Sequence, residues 1–188
     1  VQKLADIFKE LESAGANNIN LVSPTHYTKQ IIEALNIYRP KIPIVWNTSG
    51  YEKAETIKLL EGYVDIFLTD FKYVSSELSS RLSMAPNYFD ECSKATIEMR
   101  KQQPLDIIED GLMKKGVIIR HLVLPGQTAD SQKVIDWIND NLGNKTYFSL
   151  MSQYVPMSKA LNISEINRKI TPLEYKILTN KLKKQKKK

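Results

Sequence analysis

Ser23, Thr25 and His26 stand together just after an apolar stretch, and the same arrangement recurs along the chain. Asn47, Thr48 and Ser49 follow a second stretch, Asp70 and Lys72 a third, Arg120 and His121 lie within a fourth, and Gln153 and Tyr154 follow a fifth. Hydroxyls, amides, a carboxylate and two cations in one place suit the binding of a polar, zwitterionic or phosphorylated small molecule. Each group also has a plainer use. His26 can cap a helix or meet a carbonyl, and Asn47-Thr48-Ser49-Gly50 can be a turn that starts a helix. Asp70 and Lys72 stand two apart, so on a strand they share a face and can pair. Arg120 can join a structural ion pair. The recurrence at one end of successive apolar stretches is what favours a shared site. No nucleophile triad is present: the only cysteine, Cys92, falls inside a helical pattern, where it reads as a small buried hydrophobe. No spacing of His, Asp and Glu marks a metal site.

The elements that must position these residues alternate. Residues 1–14 carry Leu4, Ile7, Phe8 and Leu11 at helical spacing, with Gly15 to end the helix. Residues 18–23 read as a strand stopped by Pro24, 28–38 as a helix, 42–46 as a strand, 52–60 as a helix and 64–68 as a strand. Residues 87–102 form a longer helix with Phe89, Cys92, Ala95, Ile97 and Met99 as candidate buried positions. Residues 105–108 and 117–124 are β-like around Glu109-Asp110-Gly111, an Asp-Gly turn signal for a small antiparallel excursion. Pro125-Gly126 is a hard stop. Then come a helix over 131–142, a last strand over 146–151 and a final helical region over 163–182, restarted at Thr171-Pro172. Strand and helix in alternation predict parallel strands joined by crossover helices. No glycine-rich fingerprint follows the first strand and no phosphate-cradling G-x4-G-K-[ST] run occurs, so a barrel or part-barrel is preferred to a nucleotide-binding Rossmann sheet. In such barrels chemistry collects at the carboxyl ends of the strands, which is where the polar groups stand.

The 188 residues suit one domain, and 42% hydrophobic and 26% charged residues are ordinary values for a globular chain. No run approaches the roughly 20 apolar residues of a membrane helix. One cysteine cannot close an internal disulfide, which fits a reducing, cytoplasmic setting. The formal charge of +6 owes much to the lysine-rich end from Lys181 onward. That run reads as a solvated helix end, with residues 183–188 as a basic tail. With no interleaved aromatic platform, no nucleic-acid partner is expected. The chain opens on Val1, and an upstream segment is expected.

Taken together, the quoted residues carry a resemblance. Asn18 to Tyr27 (NINLVSPTHY), Pro43 to Tyr51 (PIVWNTSGY), Val64 to Tyr73 (VDIFLTDFKY), Ile119 to Gly126 (IRHLVLPG) and Met151 to Tyr154 (MSQY) resemble, in order, proteins of the radical S-adenosylmethionine superfamily related to pyruvate formate-lyase activating enzymes. The nearest branch looks like the poorly characterised homologues of those enzymes. The resemblance implies a partial (β/α)6, TIM-like barrel over residues 1–182. It implies an iron–sulfur cluster of four irons and four sulfurs, held by a C-x3-C-x2-C loop after the first strand. It also implies S-adenosylmethionine chelated to that cluster and cleaved to a 5′-deoxyadenosyl radical that abstracts hydrogen.

Carried over by position, Ser23-Pro24-Thr25-His26 stands where the family has a Gly-Gly-Glu motif for the methionine amino group, and departs from it. Asn47-Thr48-Ser49-Gly50 matches Asp-Thr-Asn-Gly. Asp70-Phe71-Lys72 matches Asp-Leu-Lys, with Lys72 facing the methionine carboxylate. Arg120 matches the arginine before Val-Pro-Gly, and Gln153 and Tyr154 fall on the ribose or substrate side. The first strand and cluster loop are absent here, so the chain alone is expected to hold no cluster and to be inactive. Expected partners are a protein substrate of the glycyl-radical-enzyme kind or a small molecule. Self-association is also expected, through the sheet edge that a missing first strand would expose. Two other readings stay open: a cluster-less barrel acting as a binding module, and an aldolase-like barrel using Lys72 as its amine, against which the lack of a late glycine pair for phosphate argues.

Overall fold

The computed structural model describes residues 1–143 and 146–185. Lys186, Lys187 and Lys188, half of the expected basic tail, lie outside the described residues. In chain order the elements are α1 (Gln2–Ser13), β1 (Ile19–Val22), a 3-10 turn (Thr25–Tyr27), α2 (Thr28–Ile37), β2 (Ile44–Thr48), α3 (Ala54–Lys58) and β3 (Ile66–Asp70). Then follow α4 (Ser76–Ser83), α5 (Tyr88–Gln102), β4 (Ile107–Glu109), β5 (Leu112–Leu122), α6 (Thr128–Leu142), β6 (Tyr147–Met151), a second 3-10 turn (Ser158–Asn162) and α7 (Pro172–Gln185). The class is α/β, as the alternation predicts.

Hydrogen bonding orders the strands β1-β2-β3-β5-β4, with β6 beside β5. The sheet is mixed and does not close. β1, β2 and β3 are parallel. β4 runs antiparallel to β5 across Asp110-Gly111, whose positive φ values of 51° and 77° suit the two central residues of a tight hairpin turn.

Chain contacts divide the fold into two compact units. The first comprises residues 1–70 and 91–118, the second residues 71–90 and those from Ile119 onward. In the first, β2 and β3 are buried along most of their length, as the interior of a parallel sheet requires, whereas β1 exposes Asn20 and Val22 at the edge. Phe8, Leu35, Ile44, Trp46, Ile57, Phe67, Met99 and Val117 are all buried there. Cys92 is fully buried beside Ala95 and Met99, as its helical position predicts. In the second unit, Val123, Ile135 and Leu178 form a cluster against Phe148, Leu150, Ile170 and Tyr175. The Phe71 ring lies 4.7 Å from Trp137 and 6.1 Å from Phe89, centroid to centroid.

Several boundaries differ from expectation, for physical reasons. β2 and β3 each end two residues later than their apolar runs, because the parallel ladder continues through Val22–Asn47 and Thr48–Thr69. Asn47, Thr48 and Asp70 are therefore strand residues, not loop residues. The helix expected over 52–60 is regular only over 54–58. α4 was not expected, although Leu78 and Leu82 stand at helical spacing; the Ser75 hydroxyl caps it by accepting from Leu78 N at 3.2 Å. The last helix begins at Pro172 rather than at 163 and runs on to Gln185.

Candidate functional site

In the first unit, the carboxyl ends of β1 and β2 are joined by a buried carboxylate. After Val22 the chain turns through Ser23, which adopts a left-handed φ of 51° while its N–H donates to the Asn47 carbonyl at 2.8 Å. The turn carries the Thr25 hydroxyl to 2.6 Å from Glu52 Oε1. The same oxygen accepts from the Thr48 hydroxyl at 2.6 Å and from Trp46 Nε1 at 3.2 Å. Glu52 is 2% exposed, and its second oxygen, Oε2, is buried with no hydrogen-bond partner. Three donors thus converge on one carboxylate oxygen, in a setting where such bonds are stronger than in water.

Geometry fixes the polarity of both threonines. A carboxylate oxygen that already receives a hydroxyl proton leaves that hydroxyl only its lone pairs to offer. Thr48 uses one of these for Gly50 N–H at 3.2 Å. Thr25 keeps acceptor capacity at the tip of the β1 turn. Gly50, at φ +79°, is required by close approach: a Cβ there would lie 2.1 Å from the Asp70 carbonyl oxygen and 2.9 Å from Cys92 Sγ. Cys92 donates weakly to that same carbonyl at 3.6 Å. Asn47 and Asp70 are half-buried, whereas Ser23, His26 and Ser49 are exposed.

In the second unit, Phe71 N donates to the Arg120 carbonyl at 2.8 Å, so the residues leading into Lys72 are tied to β5. Lys72 N donates to the Tyr88 hydroxyl at 3.0 Å, and the Lys72 and Arg120 side chains are half-buried. His121 is 2% exposed, with Nδ1 2.6 Å from the Phe71 carbonyl and Nε2 2.8 Å from the Ser131 hydroxyl. A carbonyl only accepts, so Nδ1 carries a proton. His121 is thereby a cross-brace, with both ring nitrogens engaged. Asp130 is a second brace, accepting from Val74 N at 3.1 Å and Ser75 N at 2.8 Å. Burial raises the pKa of Tyr73, and the negative Asp130 adds to that against the lowering effect of the Ser83 contact. Burial likewise raises that of Tyr154, whose hydroxyl is buried without a partner, while Gln153 is exposed.

Of the residues singled out by sequence, the fold therefore links Thr25 with Thr48 through Glu52, Ser23 with Asn47 through the backbone, and Gly50 with Asp70. It links Arg120 with the Phe71–Lys72 segment. Sequence reasoning missed Glu52, Asp130 and Ser131. The signal for Glu52 was available: it follows Thr48 by four residues across a turn containing glycine, a spacing that folds a carboxylate back onto a hydroxyl. Among the described residues no three His, Cys, Asp or Glu side chains converge as a metal-binding group. No described helix is long and apolar enough to cross a membrane.

No family model matches the chain. It is similar to an uncharacterized protein of Methanocaldococcus jannaschii, with 35% identity over 159 residues. The alignment takes in 83% of the chain and 43% of the relative, so the chain spans less than half the length of that relative.

Proposed function

We propose that these 188 residues are part of a radical S-adenosylmethionine domain of the pyruvate formate-lyase activating-enzyme kind, an arc of a (β/α)6 barrel acting in the cytoplasm. The observation that carries the reading is the Thr25–Glu52–Thr48 network: the turns after β1 and β2, two of the motif-bearing segments, are joined by one buried carboxylate. It gives the departure from Gly-Gly-Glu a physical account. With its proton directed at Glu52, Thr25 Oγ1 presents lone pairs, the group an α-ammonium needs. By the resemblance alone, Lys72 is the cation expected for the carboxylate end of the ligand, Asn47, Ser49, Asp70 and Arg120 are further expected polar contacts, and Gln153 and Tyr154 fall on the ribose or substrate side.

The iron–sulfur cluster does not fit this chain by itself. Its single cysteine is buried in α5 against the Asp70 carbonyl, and one thiolate cannot hold such a cluster. Cluster ligands then have to come from residues outside these 188. What these residues do is bind and orient the methionine end of S-adenosylmethionine, whose adenosyl group supplies the radical chemistry when bound. The hydrogen donor would be a protein of the glycyl-radical-enzyme kind or a small molecule.

Titration calorimetry with S-adenosylhomocysteine tests the binding half of the reading. Binding that weakens at least about tenfold in both Thr25→Val and Lys72→Ala supports it; equal binding by all three proteins removes it. The lone buried cysteine also favours a second reading, a cluster-less binding module. That reading predicts no iron uptake even when the chain is produced with its natural upstream residues.

A further inference from the structure

At the other end of β2 and β3, within the first unit, lies a cavity of about 310 Å³. Its rim carries Arg39, Lys41, Lys114 and Lys115 against the carboxylates of Asp65 and Glu109. One carboxylate is already used. Asp65 Oδ2 accepts from Ile44 N at 2.9 Å and from Arg39 Nη2 at 2.9 Å, while Arg39 Nη1 donates to the Tyr63 carbonyl. Arg39 is thus held in place by the strand end. Among the described residues, Lys41, Lys114 and Lys115 form no ion pair. Lys41, Lys114 and Lys115 all line one concavity, with Glu109 as its other lining carboxylate and Glu12 acting on Lys41 from beside it, where Lys41 N donates to Glu12 Oε1 at 2.6 Å.

The backbone goes out of its way to bring two of them there. Neighbours on a regular strand point to opposite faces, so Lys114 and Lys115 should diverge. The ladder between β4 and β5 slips here: Ile107 faces Lys115 and Ile108 faces Met113, so Lys114 is an extra residue in a β-bulge. Bulges re-aim side chains, and both lysines line the same cavity. Gly116 follows, buried at φ +142°, where a Cβ would fall 2.3 Å from an Asp106 carboxylate oxygen. That carboxylate is held by Arg100 at 2.9 Å and by Val117 N at 3.0 Å, so the segment leading out of the bulge is braced from below.

We propose that this cavity binds a small phosphate-bearing anion. Concave walls of one sign focus potential and raise the local concentration of opposite charge. Lysines serve phosphate as point charges, and the braced Arg39 adds directional donors. The volume lies at the small end of the range for small-molecule pockets, the scale of a pyrophosphate group rather than of a macromolecule. The site stands at the strand ends opposite the β1 and β2 turns and is independent of the function proposed above.

The test is calorimetric titration of the full chain with pyrophosphate and with ADP at low salt, repeated on Lys114→Ala/Lys115→Ala and on Lys41→Ala. Circular dichroism of each variant establishes that it is folded. The expected result is a wild-type Kd below about 1 mM for at least one ligand, weakened at least about tenfold in the double variant and measurably in the single one. ADP binding more tightly than pyrophosphate identifies the source as a nucleotide; equal binding identifies the phosphates alone. Absence of binding to both ligands, unchanged affinity in the folded variants, or equally tight binding of citrate would overturn the proposal.

Discussion

Replacing Glu52 by alanine removes the acceptor shared by Thr25, Thr48 and Trp46. Trp46 and Thr48 are 0% and 3% exposed, so neither can turn to water. A buried donor left without a partner costs about 1–3 kcal/mol, giving about 2–6 kcal/mol for the two. Thr25 is half-buried and recovers most of its loss through solvent. Against this, the unpartnered Oε2 disappears as well, which returns about 1–3 kcal/mol. The net expectation for Glu52→Ala is a destabilisation of about 2 kcal/mol. For a chain of this length that is a fall in Tm of roughly 4–8 °C. Glu52→Gln keeps an acceptor for all three donors but places an amide NH2 where Oε2 finds no partner, so its loss should be smaller, about 1 kcal/mol. Urea unfolding followed by Trp46 and Trp137 fluorescence measures both. Thr25→Val supplies the control: it should cost about 1 kcal/mol in the wild type and close to nothing on the Glu52→Ala background, since the pair shares one bond. Wild-type stability in Glu52→Ala, or additive costs in the double variant, would refute the network.

Three further outcomes follow from the packing. Gly50→Ala should cost about 3 kcal/mol or more, combining a left-handed backbone with a Cβ 2.1 Å from the Asp70 carbonyl oxygen, and thermal melts check it. Glu174 is held well below its ordinary carboxylate range of about 4.5, first by the Arg168 guanidinium and then by the Thr171 and Gly126 N–H groups. A depressed carboxylate stabilises the fold above its unfolded pKa and loses that contribution as pH falls. Tm should therefore drop more steeply below about pH 4.5 in the wild type than in Glu174→Gln, and parallel curves would contradict the assignment. Finally, β1 ends the sheet with Val22 67% exposed, so concentration-dependent self-association is expected in light scattering. A monomer at all concentrations would count against a usable edge.

The order of helices and strands was legible because each parallel strand is a near-continuous apolar run set between amphipathic helices. Strand ends were not, because pairing carries β2 through Asn47-Thr48 and β3 through Thr69-Asp70, polar residues that only a ladder keeps extended. The buried position of Cys92 could be read from helical spacing. Glu52 was readable only through its four-residue spacing from Thr48, and otherwise passes for an ordinary first-turn acid until the glycine turn folds it back under Thr48. His121 was read as a candidate site residue beside Arg120, yet both its nitrogens are engaged by Phe71 and Ser131. The lysine cavity was hidden for a different reason: adjacent lysines on a strand should face apart, and only the bulge at Lys114 brings them together.

The account rests most heavily on the strand-end residues serving S-adenosylmethionine. The direct measurement is to produce the chain with its natural upstream residues, reconstitute it anaerobically with iron and sulfide, add S-adenosylmethionine and reductant, and quantify 5′-deoxyadenosine. The account predicts iron–sulfur absorbance with release of 5′-deoxyadenosine, and loss of that product in Lys72→Ala with absorbance retained. Absorbance without product, or no iron uptake at all, would contradict it.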